Sequence, residues 1–594
     1  MHRAALLSLA ILAACQADRL GPRPTISRDV STVAANDDGP PSAFPGGSDT
    51  YRIGVFTGAG RHKIDCVTAS DGGRECNGYL RSDVDKTLLD VRLQIPPGAG
   101  PFPLVALIHG YAGSKNSSGD IADRLRSDGY AILRYSTRGF GDSWGQVNLA
   151  DLHAEIGDLH SMIAQVVDET DFNLNPDAVA VAGASYGGGH SWLALVSPTF
   201  ETPKKTTVRI RAVVPIAPWS DLLYSLLPNG RPNNSLDGLG GLKLSYVNGL
   251  YASGVRTDPD RPYPNYPDYL IAWHLHITTT EPSLADPIWL SVADGLTLGR
   301  SIWWQQTFWD AIRAGSRVPV FQVQGFTDDL FPLPEAKRML LALQTVAPDY
   351  PITEYFGDLG HPRARNQPAE VDYVLGLIEP WLAFYLKGEG AAPEPAIYAS
   401  RTDEPFNSAD VLRVADWSLL STGSVEQDWT GTPTPLINPA TCITSGVPWD
   451  PFVGIADGEL QPYVTTPPPS DTGACSLSTF SFTTTSSLTI VGQPTVTLDA
   501  TVVGHRVQVD IRLIDLGDGA ERLITRGTVT LDAGLGANVG ATQIVVPTYG
   551  NYWVVQQGHT IRLEISNVDS PYITPSREPS TTIISAVHLR IPTR

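Results

Sequence analysis

Two serines in this chain sit in the pattern Gly-x-Ser-x-Gly: Ser185 within Gly183-Ala184-Ser185-Tyr186-Gly187, and Ser143 within Gly141-Asp142-Ser143-Trp144-Gly145. The pattern has a chemical use where a strand turns sharply into a helix. Glycines leave room for the tight turn, the serine Oγ projects free, and the helix offers N–H groups to a developing oxyanion. Asp177 to Gly183 is a small-residue apolar run that reads as a buried strand, and His190-Ser-Trp-Leu-Ala-Leu continues as a helix. Ser143 follows a strand too, but Arg138 and Gly139 intervene and no apolar helix starts after it. Context therefore selects Ser185 as a nucleophile and leaves Ser143 in a loop. A serine nucleophile needs a histidine to take its proton and an acid to orient that histidine. In the chain order Ser, acid, His, the residues at the ends of later strands are Asp328 and His361. His153, His160 and His190 precede the acid, His274 and His276 lie in an insertion, and His505, His559 and His588 lie in a later β region. Asp329 adjoins Asp328 and Asp358 is close to His361, but spacing from Gly325 and the following Leu-Phe-Pro favour Asp328.

Elements that could position these groups are legible around them. Thr87 to Ile95 alternates as a strand, and Pro103 to Ile108 is a continuous apolar strand running into His109-Gly110-Tyr111. Strands Tyr130 to Tyr135, Arg211 to Ala217, Val318 to Gly325 and Ile352 to Phe356 alternate with helical patterns at Asp120 to Asp128, His153 to Glu169, Pro334 to Val346 and Val371 to Leu386. Such alternation predicts a parallel sheet covered on both faces, here an α/β-hydrolase domain. Its oxyanion hole takes one donor from the backbone N–H of Tyr186 and a second from the loop after Ile108, where Tyr111 sits. The rhythm breaks over about 220–306, which holds turn residues and Trp273, Trp289, Trp303 and Trp304. That insertion reads as a cap above the strand ends, its tryptophans lining a pocket or forming a small core of their own. From about 401 short alternating strands separated by turn clusters predict an all-β sandwich or jelly roll.

At 594 residues the chain exceeds one ordinary core, and a net charge of −20 argues against nucleic acid or an anionic surface as partner. His2 and Arg3 precede an apolar run, Ala4 to Ala14, that is too short to span a bilayer. The run ends Leu12-Ala13-Ala14-Cys15, the form of a bacterial lipobox, with Cys15 as the lipid attachment point. The expected organisation is a signal peptide over 1–15, a flexible tether over 16–50, the hydrolase domain over 51–400 and the β domain over 401–594. The protein is then exported, either lipid-anchored to a bacterial membrane or secreted. Cys66, Cys76, Cys442 and Cys475 remain, and among three possible pairings the local one, Cys66–Cys76 and Cys442–Cys475, is simplest. Their spacing matches no metal site, and no cofactor is expected.

Several stretches together resemble the X-Pro dipeptidyl-peptidase and cocaine-esterase-like hydrolases. They are Gly183 to Gly188, Thr137 to Ser143, Gly325 to Pro332, Gly357 to His361 and, in the β region, Gly492 to Leu498 and Ile565 to Pro571. The resemblance spans 80–594. It implies a C-terminal jelly roll and a tyrosine hydroxyl in the oxyanion hole, at the position of Tyr111. The chain has Gly110 where the family has a proline, and Ala112-Gly113 where it has an Asp-Lys pair. The second donor is accordingly either the Tyr111 hydroxyl or a backbone N–H of the same turn. The chemistry expected is hydrolysis of an ester or amide through an acyl-enzyme, with a small-molecule ester or peptide as partner. No acidic cluster in the cap is suited to capture a free amine, which favours an esterase. An X-Pro dipeptidyl-peptidase or an acyltransferase would use the same three residues. A surface adhesion or glycan-binding lipoprotein is the reading from a different class, and the complete, correctly ordered triad argues against it.

Overall fold

A computed structural model describes residues 30–33, 53–56, 64–230, 239–257, 263–440, 477–569 and 572–594. Cys15, Cys442 and Cys475, and with them the lipid anchor and the second disulfide, lie outside the described residues. β1 (Val30–Val33) and β2 (Ile53–Phe56) form a separate antiparallel pair.

The first large unit is built on one sheet. In chain order its strands are β3 (Ile64–Thr68), β4 (Arg74–Arg81), β5 (Leu88–Ile95), β6 (Phe102–Ile108), β7 (Ala131–Tyr135) and β8 (Leu174–Ala184). There follow β9 (Thr199–Glu201), β10 (Thr207–Ile216), β11 (Val320–Gly325), β12 (Ile352–Gly357), β13 (Ile397–Ala399) and β14 (Leu412–Val414). Across the sheet the order is β14-β13-β12-β11-β10-β8-β6-β7-β5-β4-β3, with β9 paired to β10. The strands from β7 through β6, β8, β10, β11 and β12 to β13 are parallel. Both margins are antiparallel: β5, β4 and β3 on one side and β14 on the other. The sheet is thus mixed rather than wholly parallel. β3, β4 and β5 follow one another through short connections, which need no crossover helix. β14 also carries the sheet to Val414, beyond the boundary expected at 400.

Alternate residues of the central strands feed two helical layers. Val105, Ile132, Ala180, Val214 and Phe321 meet α1 (Gly119–Ser127) and the long C-terminal helix of this unit, Pro368–Lys387. Leu104, Val179, Val181 and Val213 face the other way, toward α2 (Glu155–Asp168) and the helix Pro334–Val346. Period-2 side chains on strands covered on both sides produce this division. α3 (Tyr186–Leu193) starts directly at the end of β8.

The cap leaves the sheet after β10. It comprises α4 (Leu222–Leu226), α5 (Leu244–Gly254), α6 (Asp268–Thr279) and α7 (Pro287–Leu298). Asp221 caps α4 by accepting from the N–H groups of Leu223 and Tyr224, and Asp286 caps α7 from Ile288 and Trp289 with Pro287 in the first turn. α8 (Gln306–Arg313) then returns the chain to β11.

The second unit is a sandwich of two antiparallel sheets. One contains β15 (Gly423–Asn438), β17 (Leu488–Gly492), β18 (Thr495–Val503), β21 (Gly540–Pro547), β22 (Asn551–Val555) and β24 (Ser580–Thr593). The other runs β16-β23-β19-β20, from Leu477–Thr483, Thr560–Ser566, Arg506–Gly517 and Ala520–Asp532. Val496, Leu498, Val509, Ile511, Leu563 and Val587 fill the space between them. β15 is one of the strands that sequence periodicity misses, with β16, β21 and β22. It contains Pro433 and Pro435 and is bulged between Thr430 and Thr434, features an edge strand tolerates.

Candidate active site

Ser185 stands between the last residue of β8 and the first of α3, with φ 57° and ψ −111°. That backbone is strained for a residue with a Cβ, and it is maintained because the surroundings leave no alternative. A Cβ on Gly187 would lie 2.1 Å from the carbonyl oxygen of Ile108 on the neighbouring strand. Only glycine lets the first turn of α3 come so close to β6. Ser185 itself is nearly buried, and its N–H donates to the carbonyl of Ile216 at 2.8 Å.

Three residues drawn from the ends of β8, β11 and β12 meet above the sheet. His361 Nε2 is 2.7 Å from Ser185 Oγ, and His361 Nδ1 is 2.8 Å from Asp328 Oδ2. With the carboxylate at Nδ1, that nitrogen carries the proton and Nε2 is left as an acceptor for the serine hydroxyl. Asp328 is fully buried. Its Oδ1 accepts from the N–H groups of Leu330 and Phe331, both at 2.9 Å, and its Oδ2 also accepts from the N–H of His361 at 3.1 Å. Four donors thus fix the orientation of one carboxylate. Gly360 has φ +123°, and a Cβ there would lie 2.3 Å from Asp328 Oδ2. The histidine loop can therefore close on the acid only with glycine at this position.

The competing carboxylates are occupied elsewhere. Asp358 pairs with Arg365 and accepts from Thr327 Oγ1 at 2.6 Å. Asp329 pairs with Arg363 at 2.8 Å and lies 3.6 Å from Arg526 of the sandwich. Ser143 is buried far from this chemistry, where its Oγ donates to the carbonyl of Ser136 and accepts from the N–H of Asp90.

Tyr111 and Tyr186 stand beside the serine as an edge-to-face pair, with ring centroids 5.2 Å apart. The turn bearing Tyr111 is pinned by His109, whose Nδ1 is 2.6 Å from the carbonyl of Gly110 while Nε2 accepts from the N–H of Thr137. Burial drives this imidazole down to about 4, so it stays neutral and can make both bonds. The Tyr111 hydroxyl lies 2.5 Å from that of Tyr266 in the cap, and burial raises Tyr111 well above the ordinary phenol range. Tyr186 points inward instead. Its hydroxyl donates to Glu155 at 2.5 Å and accepts from the N–H of Ala150 at 2.8 Å. Burial works to raise the Glu155 carboxyl, but His190, Tyr186 and the N–H of Asn148 outweigh it and hold the group below the usual range. Sequence reading passed over Glu155, and the only signal for it was a polar residue beginning an apolar helical face.

Ser185 opens into a cavity of about 850 Å³, counting its mouth, roofed by the cap. Leu222, Leu226, Val247, Leu270, Trp273 and Phe331 are among the apolar residues of its wall. Among the described residues, none lining it is an Asp, Glu, Lys or Arg. The cap tryptophans divide between the two roles expected of them. Trp273 lines the cavity, whereas Trp289 is buried within the cap and donates its Nε1–H to Thr280. Trp303 lies beneath the Arg338 guanidinium at 4.1 Å, and Trp304 donates to Asp221.

Residues 85–354 match the family described as X-Pro dipeptidyl-peptidase (S15 family). The whole fold is similar to an aminopeptidase from a marine-sediment Thaumarchaeota archaeon, at 14% identity and TM-score 0.60 over 90% of this chain and 99% of that one. It is likewise similar to an α-amino acid ester hydrolase, at 14% identity and TM-score 0.59 over 91% and 99%. A short stretch of 92 residues is 35% identical to the quorum-quenching protein AidA of Acinetobacter baumannii. That match spans 15% of this chain and 29% of its relative.

Proposed function

We propose that this chain, whose residues 85–354 match the X-Pro dipeptidyl-peptidase (S15) family, is a serine hydrolase acting on esters with an uncharged, apolar acyl group. The reading rests on the continuous hydrogen-bonded path from Asp328 through His361 to Ser185, opening on an apolar cavity. Ser185 Oγ attacks the ester carbonyl while His361 Nε2 takes its proton. The negative charge that forms on the carbonyl oxygen faces the N–H of Tyr186 and the Tyr111 hydroxyl. Collapse expels the alcohol, which receives the proton from His361. A water molecule, deprotonated by the same imidazole, then releases the acid and restores the serine.

The choice of ester over peptide follows from the cavity. A free amino terminus is cationic at neutral pH and needs a carboxylate or several acceptors to leave water. Among the described residues none lining the cavity carries a carboxylate, whereas apolar walls suit an aliphatic or aryl acyl group. The family match favours a second reading, a peptidase that releases X-Pro dipeptides.

A substrate panel separates the two. Aryl and alkyl esters of apolar acids should exceed α-amino esters and X-Pro anilides in kcat/KM by about a hundredfold, since one unpaired buried charge costs several kcal/mol. Preference for the X-Pro anilide would replace the esterase reading with the peptidase. An organophosphonate should label Ser185 and spare Ser143. We further propose that the chain is exported and lipid-modified at Cys15, which radiolabelled fatty acid would report by incorporation lost in Cys15→Ser. Among the described residues no helix is long and apolar enough to cross a membrane.

A further inference from the structure

The loop that carries Asp328 is held from outside the sheet, by the cap and by the sandwich. Lys243, at the start of α5 in the cap, is fully buried. Its Nζ donates to two successive carbonyls of that loop, Asp329 and Leu330, each at 2.6 Å. Tyr572 of the sandwich donates its hydroxyl to the same Asp329 carbonyl at 2.8 Å and lies 2.8 Å from the Tyr549 hydroxyl. The faces of these two tyrosines flank the Lys243 ammonium at 5.3 and 5.7 Å. Arg526, also from the sandwich, stacks over Tyr572 at 4.3 Å and lies 3.5 Å from Asp569 and 3.6 Å from Asp329. The histidine loop is tied to the same point, because Arg363 binds both the Asp329 carboxylate and the Phe326 carbonyl.

We propose that Lys243 and Tyr572 are positioning residues for the Ser185–His361–Asp328 site, through which the cap and the sandwich together set the orientation of the Asp328 carboxylate. The inference rests on the hydrolase reading given above. Leu330 is the pivot of the argument. Its N–H donates to Asp328 Oδ1 while its carbonyl receives Lys243, so the cation and the acid grip opposite sides of one peptide segment. Neither positioning residue lines the cavity, so neither touches substrate. Burying an ammonium here is costly: burial brings Lys243 down to about 7 against the pull of Asp329 and Asp328. Protonated or neutral, the amine still carries the two N–H groups that the two carbonyls require.

Loss of the grip should appear in turnover and not in binding. A displacement of about 1 Å in a supporting group can cost on the order of a hundredfold in rate. Lys243→Met, which keeps the length of the stem, should lower kcat by about ten- to a hundredfold with KM within twofold. The rate of phosphonate labelling at Ser185 should fall by the same factor. Tyr572→Phe removes a single hydroxyl and should lower kcat by about three- to tenfold, and the two losses should combine non-additively because both groups serve one carbonyl. Folded Lys243→Met with parental kcat, or a loss confined to KM, overturns the proposal. Should Lys243→Met not accumulate as folded protein, Tyr572→Phe decides alone, and parental kcat there overturns it equally. Asp328→Asn is the control, with an expected fall of about 10⁴-fold. If that control is also silent, the fault lies in the hydrolase reading and not in this inference.

Discussion

At the scale of the residue, Tyr111 is where the second oxyanion donor is tested. Among the described residues its hydroxyl has one partner, Tyr266 at 2.5 Å. If Tyr266 supplies the proton of that bond, the Tyr111 proton is free to meet an oxyanion. Tyr111→Phe should then lower kcat by on the order of 10²–10³ with little change in KM, and Tyr266→Phe should lower it less. Steady-state kinetics on one aryl ester decides this, and near-parental turnover in Tyr111→Phe would assign the second donor to a backbone N–H of the His109-Gly110-Tyr111 turn. Ser185, His361 and Asp328 were legible in the sequence because each follows a strand in a fixed chain order. Local spacing carries that information. The partners of Asp329 were not legible. Arg526 and Tyr572 lie some two hundred residues away in another domain, and no periodicity announces a contact of that kind.

At the scale of the element, the hairpin of β3 and β4 forms one margin of the sheet, and Cys66 and Cys76 face each other across it in a disulfide. The link spans a sequence separation of 10. In the chain-entropy account such a closure contributes about 2–3 kcal/mol. The double variant Cys66→Ser/Cys76→Ser should show that loss in denaturant unfolding, with faster amide exchange over 64–81. Its kcat should equal the parent's, since β3 lies at the far edge from Ser185. A drop in kcat would mean that the hairpin reaches further into the site than the sheet order implies. The strand pattern of β5 was readable in Thr87 to Ile95, whereas its antiparallel pairing with β7 was not. Direction within a sheet depends on which strands become neighbours, and a single strand's pattern is the same either way.

At the scale of the whole molecule, cap and sandwich are fastened together by buried charge. Arg506 of β19 binds Glu281 between α6 and α7, and Ser576 and the N–H of Arg577 donate to the same carboxylate. Nearby on β19, Asp510 is raised to about 7, first by burial and then by Asp569. In the unfolded chain it ionises at its ordinary value of 3.8. Between these two values the folded state binds the extra proton, so the stability contributed by this group falls as pH rises through the window and stays lost above it. Asp510→Asn, uncharged throughout, should gain on the parent by at least about 1 kcal/mol between pH 4 and pH 8. Denaturant unfolding at the two pH values tests this, and an equal gain at both would refute it. The whole fold also has to sustain the backbone of Ser185, at φ 57° and ψ −111°. Ordinarily an alanine is worth about 0.5–1 kcal/mol more than a glycine. At this position the order should invert, with Ser185→Gly melting above Ser185→Ala although both are inactive. At this one residue, durability and chemistry then pull the sequence in opposite directions.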